Sequence, residues 1–556
     1  MLIGIDTGGT NIDGVLIENG QIIKKIKNPV DRKDLFNTVL KALNELIEGR
    51  DLEKIKRINL STTISTNAIV ENKISPVAIL LQSGPGINND FSDLTSDLYN
   101  LTGYVDHRGK VVKGIDSKEL KEAEMALNLT KNRHLAAVSK FSTRNPDAEN
   151  AIADYFSDKV KHITLGHKLS GRLNFPRRVN TAYLNAAVND IFSDFAINIL
   201  RAVKEKGIKA PVFILKADGG TMPVSQATAS PVETILSGPA ASFMGISALA
   251  SAVEDALLLD IGGTTSDIFF LVSGVPVFAP QGIQIAGKKT LVRSIFSVSI
   301  GLGGDSLLQV NEKQQLQIGP ERKGLPVVFG GAAPALTDAA ALKGLISVES
   351  EALEKAKQTL KPLADKLGLT LENFANTTLT QAAKMIATAV NENLAVLNSK
   401  TLYTVKEVLE GRQIKPSKII IVGGPANLMA PYLEKELGWK ASCPKHFEIA
   451  NAIGAALAKP TVEMNLIADT GRKILSVPEA GVYEPINANF NLSDARKTIV
   501  NLLEKAAKDM GDSNFEAEIT EESSFNMIDG FRSGQNIRIK AQLRPGLIAN
   551  LNGGEE

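Results

Sequence analysis

Leu2-Ile3-Gly4-Ile5-Asp6-Thr7-Gly8-Gly9-Thr10-Asn11-Ile12-Asp13-Gly14-Val15-Leu16-Ile17 lies near the start of the chain. Its form returns at Leu257-Leu258-Leu259-Asp260-Ile261-Gly262-Gly263-Thr264-Thr265-Ser266-Asp267-Ile268-Phe269-Phe270-Leu271. Both stretches are strand, Asp-x-Gly-Gly-Thr-x-x-Asp, strand. Two buried strands joined by a turn of glycines let backbone N–H groups approach an anion closely, because no Cβ stands in the way. The threonines add hydroxyl donors, and the leading Asp6 and Asp260 are placed to hold a hydrated Mg²⁺. A single copy fits an ordinary tight hairpin equally well. Two copies about half the chain apart predict two facing phosphate loops in a duplicated fold, with nucleotide between them.

At 556 residues the chain is too long for one core and should form two or three domains. Hydrophobic residues make up 44% and charged residues 22%, the composition of an ordinary globular protein. Lys+Arg of 62 against Asp+Glu of 61 gives a net charge of +1, so nothing points to nucleic acid or an anionic membrane. Cys443 is the single cysteine, which excludes an intrachain disulfide and fits a reducing, cytoplasmic setting. The opening residues lack a basic n-region and are not expected to be a signal peptide. No apolar run reaches the roughly 20 residues of a membrane span.

Along the chain, strands and helices alternate, which predicts a mostly parallel, covered sheet in each lobe. Helices are expected over 34–48, 118–127, 147–156, 177–203, 349–367 and 379–397, and strands over 76–81, 211–215 and 418–422. From about Thr461 the character shifts to one helix, 493–510, among polar strands, which predicts a small α+β domain. The expected division is 1–178, 179–460 and 461–556.

Further glycine loops extend the nucleotide reading. Gly301-Leu302-Gly303-Gly304-Asp305 follows the second phosphate loop, and Val422-Gly423-Gly424-Pro425 ends a strand. Asn451-Ala452-Ile453-Gly454-Ala455-Ala456 is a helix of small residues able to pack closely on another helix. In this order the motifs resemble the actin, sugar-kinase and heat-shock-chaperone superfamily. The resemblance implies a duplicated actin-like ATPase fold of α/β class, two lobes around a nucleotide cleft, with Gly423, Gly424 and Pro425 against the adenosine.

Other stretches narrow the family. The opening through Gly14 is similar to that of the hydantoinase A/5-oxoprolinase family. So are Thr62-Thr63-Ile64-Ser65-Thr66-Asn67-Ala68, Asp218-Gly219-Gly220, Ser237-Gly238-Pro239-Ala240 and Leu336-Thr337-Asp338-Ala339. The resemblance implies ATP and Mg²⁺ as cofactors, a cyclic amide such as a hydantoin or 5-oxoproline as substrate, and in some relatives a separately encoded second subunit. Relatives also include ketone carboxylases, and a homo-oligomer is left open. The sequence departs from the family at Arg177-Arg178, where Glu-Arg is usual, at Asp218, where Asn is usual, and at Leu60-Ser61 before the threonines.

The candidate residues follow. Thr7, Gly8, Gly9, Thr10 and Asn11, with Gly262, Gly263, Thr264 and Thr265, are candidates to cradle phosphates, and Gly303, Gly304 and Asp305 to complete the nucleotide site. Asp6 and Asp260 are the metal-holding acids. Asp13 either orients a nucleophile or closes its turn, and Asp305 either touches ribose or metal or shapes a bare turn. His167 is a general base, a metal ligand or an ordinary loop histidine. Arg177 and Arg178 either clamp a substrate anion by a planar fork or sit solvated at a helix end. Thr62, Thr63, Thr66, Asn67 and Asp218 are the remaining substrate candidates. An activating ATPase for a partner enzyme and a small-molecule kinase stay open beside the hydrolase.

Overall fold

The structure, a computed structural model, describes residues 1–8, 11–31, 33–86, 90–250, 254–279, 281–399, 413–512, 514–529 and 532–551. Its first sheet runs in the order Gln21–Pro29, Asn11–Glu18, Leu2–Thr7, Arg57–Thr62, Val212–Leu215, Thr221–Pro223. Leu2–Thr7 is antiparallel to Asn11–Glu18 and parallel to Arg57–Thr62. The second sheet repeats this plan as Ser297–Ile300, Ser266–Val272, Ala256–Ile261, Lys418–Val422, Lys440–Ser442, with the same pattern of antiparallel and parallel neighbours. The duplication in sequence is therefore a duplication in topology, the doubled lobe of the actin-like ATPase fold. The first sheet draws strands from both sides of residue 178.

Two helices lie between the sheets. Ser237–Leu249 and Ala450–Leu457 bury their small residues with Val15, Ile17, Leu258 and Phe269 from the two lobes. Their contact is close because glycines face backbone. A Cβ on Gly454 would stand 2.0 Å from the Ala241 carbonyl oxygen, and one on Gly4 2.1 Å from that of Ala452. The outer face of the first sheet is covered by Leu35–Ile47 and Asn189–Glu205. The outer face of the second is covered by Leu336–Leu342, Ser350–Lys366, Leu371–Ser399 and Ala426–Leu437.

Inserted in the first lobe is a parallel sheet, His162–Leu165, His134–Ser139, Val77–Gln82, Leu98–Asn100. The C-terminal unit is an antiparallel five-stranded sheet on which the helix Leu492–Asp509 packs Ile499 and Leu503. Among the described residues no helix is long and apolar enough to cross a membrane.

The expected helix over 177–203 is two helices, Phe175–Ala187 and Asn189–Glu205, broken at Val188. Both halves bury apolar faces, so the hydrophobic pattern runs through the bend unbroken. The Asn189 amide, bonded to the Thr228 carbonyl at 3.0 Å, fixes the second axis. The helix expected over 379–397 begins earlier, at Leu371, where Phe374 and Ala375 already join the core.

Candidate functional site

The two hairpins place their aspartates in matching positions. Asp6 stands opposite Asp13, and Asp260 opposite Asp267. Their turns match as well, with the Gly8 N–H donating to the Asn11 carbonyl at 3.0 Å and the Gly262 N–H to that of Thr265 at 2.9 Å. Gly9 and Thr10 lie outside the described residues.

Buried carboxylates meet here with few compensating partners. Asp6 Oδ1 and Asp13 Oδ1 are buried without a hydrogen-bond partner, as is the Thr7 hydroxyl. Asn451 Nδ2 donates to Asp6 Oδ2 at 3.4 Å, Lys27 Nζ to Asp13 Oδ2 at 3.0 Å, and Ser242 Oγ to Asp260 Oδ2 at 2.6 Å. Burial, reinforced by Asp13, raises the Asp6 carboxyl to about 6. Burial, reinforced by Asp260, raises that of Asp267 to about 7. Asp13 and Asp260 are also raised, burial outweighing Lys27 and Ser242 respectively.

Hard oxygen ligands with unused lone pairs fit Mg²⁺, which keeps several waters when bound. Among the described residues no three carboxylate, imidazole or thiolate groups converge on one point, so Asp6 and Asp260 would hold such an ion through water.

The raised carboxyls have a consequence for stability. Each binds its proton more tightly in the folded chain. The stabilisation is complete below the ordinary value of 3.8 and is lost as pH rises through about 6 for Asp6 and about 7 for Asp267. Asp267→Asn removes one such group, so its melting temperature without nucleotide should fall less than that of the wild type between about pH 5 and about pH 8. Parallel melting curves across that range check this.

Around the second hairpin the loops converge. Gly304 N–H donates to the Gly262 carbonyl at 2.9 Å and Asp305 N–H to that of Gly263 at 2.7 Å. Arg322 reaches Thr264 Oγ1 at 3.1 Å and Asp305 at 3.2 Å. Pro425 lies beside Gly304. Gly423 has φ +93°, and a Cβ there would stand 2.3 Å from the Ile261 carbonyl oxygen and 2.5 Å from Asp260 Oδ1. Gly423→Ala should therefore push the segment off the hairpin and weaken nucleotide binding at least about tenfold, since strain and clash each cost on the order of 1–3 kcal/mol. Fluorescent-nucleotide titration measures it.

A cavity of about 260 Å³ is lined by Thr7, Gly8, Thr62, Thr63 and Asn67, so it opens beside the first hairpin. Thr63 precedes the helix Ile64–Val70 without a capping bond from its side chain. Thr66 is turned away, its hydroxyl accepting from Leu236 N–H at 2.9 Å.

Both arginines donate to backbone carbonyls of the chain itself. Arg178 is fully buried, its terminal nitrogens donating to the Arg172 carbonyl at 2.9 Å and the Lys140 carbonyl at 2.8 Å. Arg177 donates to the carbonyls of Gln281 and Thr290 and to Gln281 Oε1. These bonds tie both side chains to the backbone, while Arg178 Nε is buried without a hydrogen-bond partner.

His167 is buried too, with Nδ1 2.6 Å from Glu149 Oε2, a carboxylate that also accepts the N–H groups of Ser139 and His167. It lies beyond the carboxyl end of the inserted parallel sheet and does not line the cavity beside Thr62. Asp218 belongs to a different cavity, where Thr461 Oγ1 donates to it.

Several residues now in place carry little signal in the sequence. Asn451 is the polar head of a helix of small residues, Arg322 comes from a loop, Ser242 follows the Ser237–Ala240 motif without belonging to it, and Lys27 and Glu149 lie outside the glycine motifs.

The chain matches the family described as Hydantoinase/oxoprolinase over residues 178–464 and the Hydantoinase/oxoprolinase N-terminal region over residues 2–160. An uncharacterised protein of Methanocaldococcus jannaschii is 23% identical over 445 residues, covering 69% of this chain and 64% of that protein. 5-Oxoprolinase 1 of Arabidopsis thaliana is 24% identical over 530 residues, covering 82% of this chain and 41% of that protein. The chain thus spans less than two thirds of either relative. Among solved structures, the ATP-dependent caprolactamase from Pseudomonas jessenii is similar with a TM-score of 0.70 at 17% identity, over 97% of this chain and 87% of that one. Nucleotide-free acetone carboxylase is similar with a TM-score of 0.66 at 14% identity, over 98% of this chain and 88% of that one. At such identities the likeness is one of fold. By the extent of its matched residues, the chain belongs to the hydantoinase/oxoprolinase family.

Proposed function

We propose that this chain binds ATP with Mg²⁺ between its two hairpins and phosphorylates the carbonyl oxygen of a cyclic amide, which then opens. The observation that carries the reading is the pair of matched Asp-x-Gly-Gly-Thr hairpins, with a cavity of about 260 Å³ beside the first. The family and the named activities of its relatives, 5-oxoprolinase and ATP-dependent caprolactamase, agree with it.

An amide carbonyl is a poor electrophile, and phosphorylation makes its carbon open to water. The chain's task is positioning and charge neutralisation. Mg²⁺, when bound, neutralises charge on the transferring phosphoryl group. The backbone N–H groups of Gly263, Thr264 and Thr265 and the hydroxyls of Thr264 and Thr265 cradle the phosphates, with Gly8 and Gly262 closing the turns that present them, and Gly303, Gly304, Gly423 and Gly424 shape the nucleoside side. Arg322, beside Thr264, adds positive charge. Asp13, steadied by Lys27, orients the attacking group. Thr62, Thr63 and Asn67 hold the ring.

In the transfer, the bond from the γ-phosphorus to the bridging oxygen of ADP breaks and one to the amide oxygen forms. Water then adds to the amide carbon, the C–N bond breaks as the ring nitrogen takes a proton, and an acyl phosphate remains. A second water releases phosphate and leaves a carboxylate.

Phosphorus NMR of reactions with hydantoin, 5-oxoproline and a lactam tests this, with the ring-opened product followed in parallel. Free phosphate matched by ring-opened acid supports the hydrolase. A stable phosphorylated product makes the chain a kinase, and ATP hydrolysis indifferent to every amide makes it a conformational ATPase.

A further inference from the structure

A second cavity, of about 530 Å³, lies where the core meets the C-terminal unit. Its volume is in the range of small-molecule sites. Lys216, Asp218, Glu233 and Arg293 line it from the core, and Glu463 and Glu479 from the C-terminal unit. None of these residues belongs to the nucleotide machinery.

The charges are held near one another but not closed into tight bonds. Lys216 Nζ is 3.4 Å from both Asp218 and Glu233. Arg293 is 3.7 Å from Asp218 and 3.5 Å from Glu463. Charge-assisted bonds between such groups close to about 2.7–2.9 Å. Arg293 Nη1 is buried and has no hydrogen-bond partner, whereas Glu463 is faced by Lys540 at 3.3 Å and Arg172 at 3.5 Å as well as by Arg293. Phe278 lies 4.4 Å under the Arg293 guanidinium and fixes its plane. Buried charges left this loose are costly unless something completes their bonding.

The unused capacity has two signs. Arg293 and Lys216 offer donors to a carboxylate, and Glu233, which faces Lys216 at 3.4 Å, offers acceptors to an ammonium. We infer that this cavity binds a small zwitterion, an amino acid with its carboxylate on Arg293 and Lys216 and its ammonium on Glu233. An amino acid is also what a lactam or 5-oxoproline releases on ring opening. If the hydrolase reading holds, the cavity is a product-sensing site between core and C-terminal unit. Binding itself does not depend on that reading.

Calorimetric titration without ATP tests the inference. The probes are 6-aminohexanoate and L-glutamate, with hexanoate and hexylamine as single-charge controls. The zwitterions should bind and the controls should bind at least about tenfold more weakly, since each leaves one buried charge unanswered. Arg293→Gln and Glu233→Gln should each weaken the zwitterion about tenfold or more while leaving ATP affinity unchanged. The unchanged ATP affinity shows that the variants are folded. Equal binding of zwitterion and controls overturns the inference. So does no binding of either zwitterion to the wild type, which would make the network only a joint between the two units. A chain that opens no cyclic amide yet binds these zwitterions would refute the hydrolase reading and leave this site standing.

Discussion

Asp260→Asn should lower ATP turnover about 10²–10³-fold, the cost of removing one preorganised charge aimed at a developing transition state. Asp6→Asn should do the same. Neither change should unfold the chain, because both carboxyls are raised by burial and a neutral amide relieves the strain of like charges without nucleotide. Asp260→Asn keeps the shape that accepts Ser242 Oγ, so local packing is preserved. Steady-state ADP release at saturating Mg²⁺, together with a melting curve for each variant, is the measurement. Loss of turnover with an equal or higher melting temperature is expected. Near-normal turnover in both variants would show that these aspartates only shape their turns.

Arg178→Met should destabilise the protein by about 3–6 kcal/mol, since it removes two buried hydrogen bonds from a charged donor at roughly 1.5–3 kcal/mol each. Burial is the largest influence on this guanidinium, and the nearby Glu149 carboxylate opposes it. Removing the side chain leaves the Lys140 carbonyl without this donor, leaves the Arg172 carbonyl with the Asn174 N–H at 3.1 Å, and leaves the Glu149 charge, already shared with His167, less compensated. Urea unfolding monitored by circular dichroism gives the loss directly. A variant of wild-type stability with impaired use of an anionic substrate would return Arg178 to the role of a substrate clamp.

The contrast between these residues shows what a sequence can carry. The Asp-x-Gly-Gly-Thr phrase is legible because a turn that lets backbone N–H groups face an anion needs glycine at fixed offsets, and a duplicated fold writes that need twice. The small-residue helix is legible for a similar reason, since close crossing of Ala450–Leu457 on Ser237–Leu249 leaves no room for a Cβ at Gly454. Arg177 and Arg178 are less legible, because charge in a sequence says nothing of burial. A guanidinium tied to backbone carbonyls reads the same as one awaiting a ligand.

Asn451 and Arg322 are invisible for another reason. Asn451 meets Asp6 across 445 residues, and Arg322 meets Thr264 across 58, contacts that exist only once the chain has folded. The bend at Val188 escapes because apolar periodicity reports burial, and both helices on either side are buried.

The two matched hairpins as an ATP site dependent on Mg²⁺ are tested most directly by titrating ATP into the wild-type chain in a calorimeter, with Mg²⁺ and again with chelator. The account predicts one ATP per chain, bound more weakly once the metal is removed. A folded chain that takes up no ATP, or binds it equally well without Mg²⁺, would contradict it.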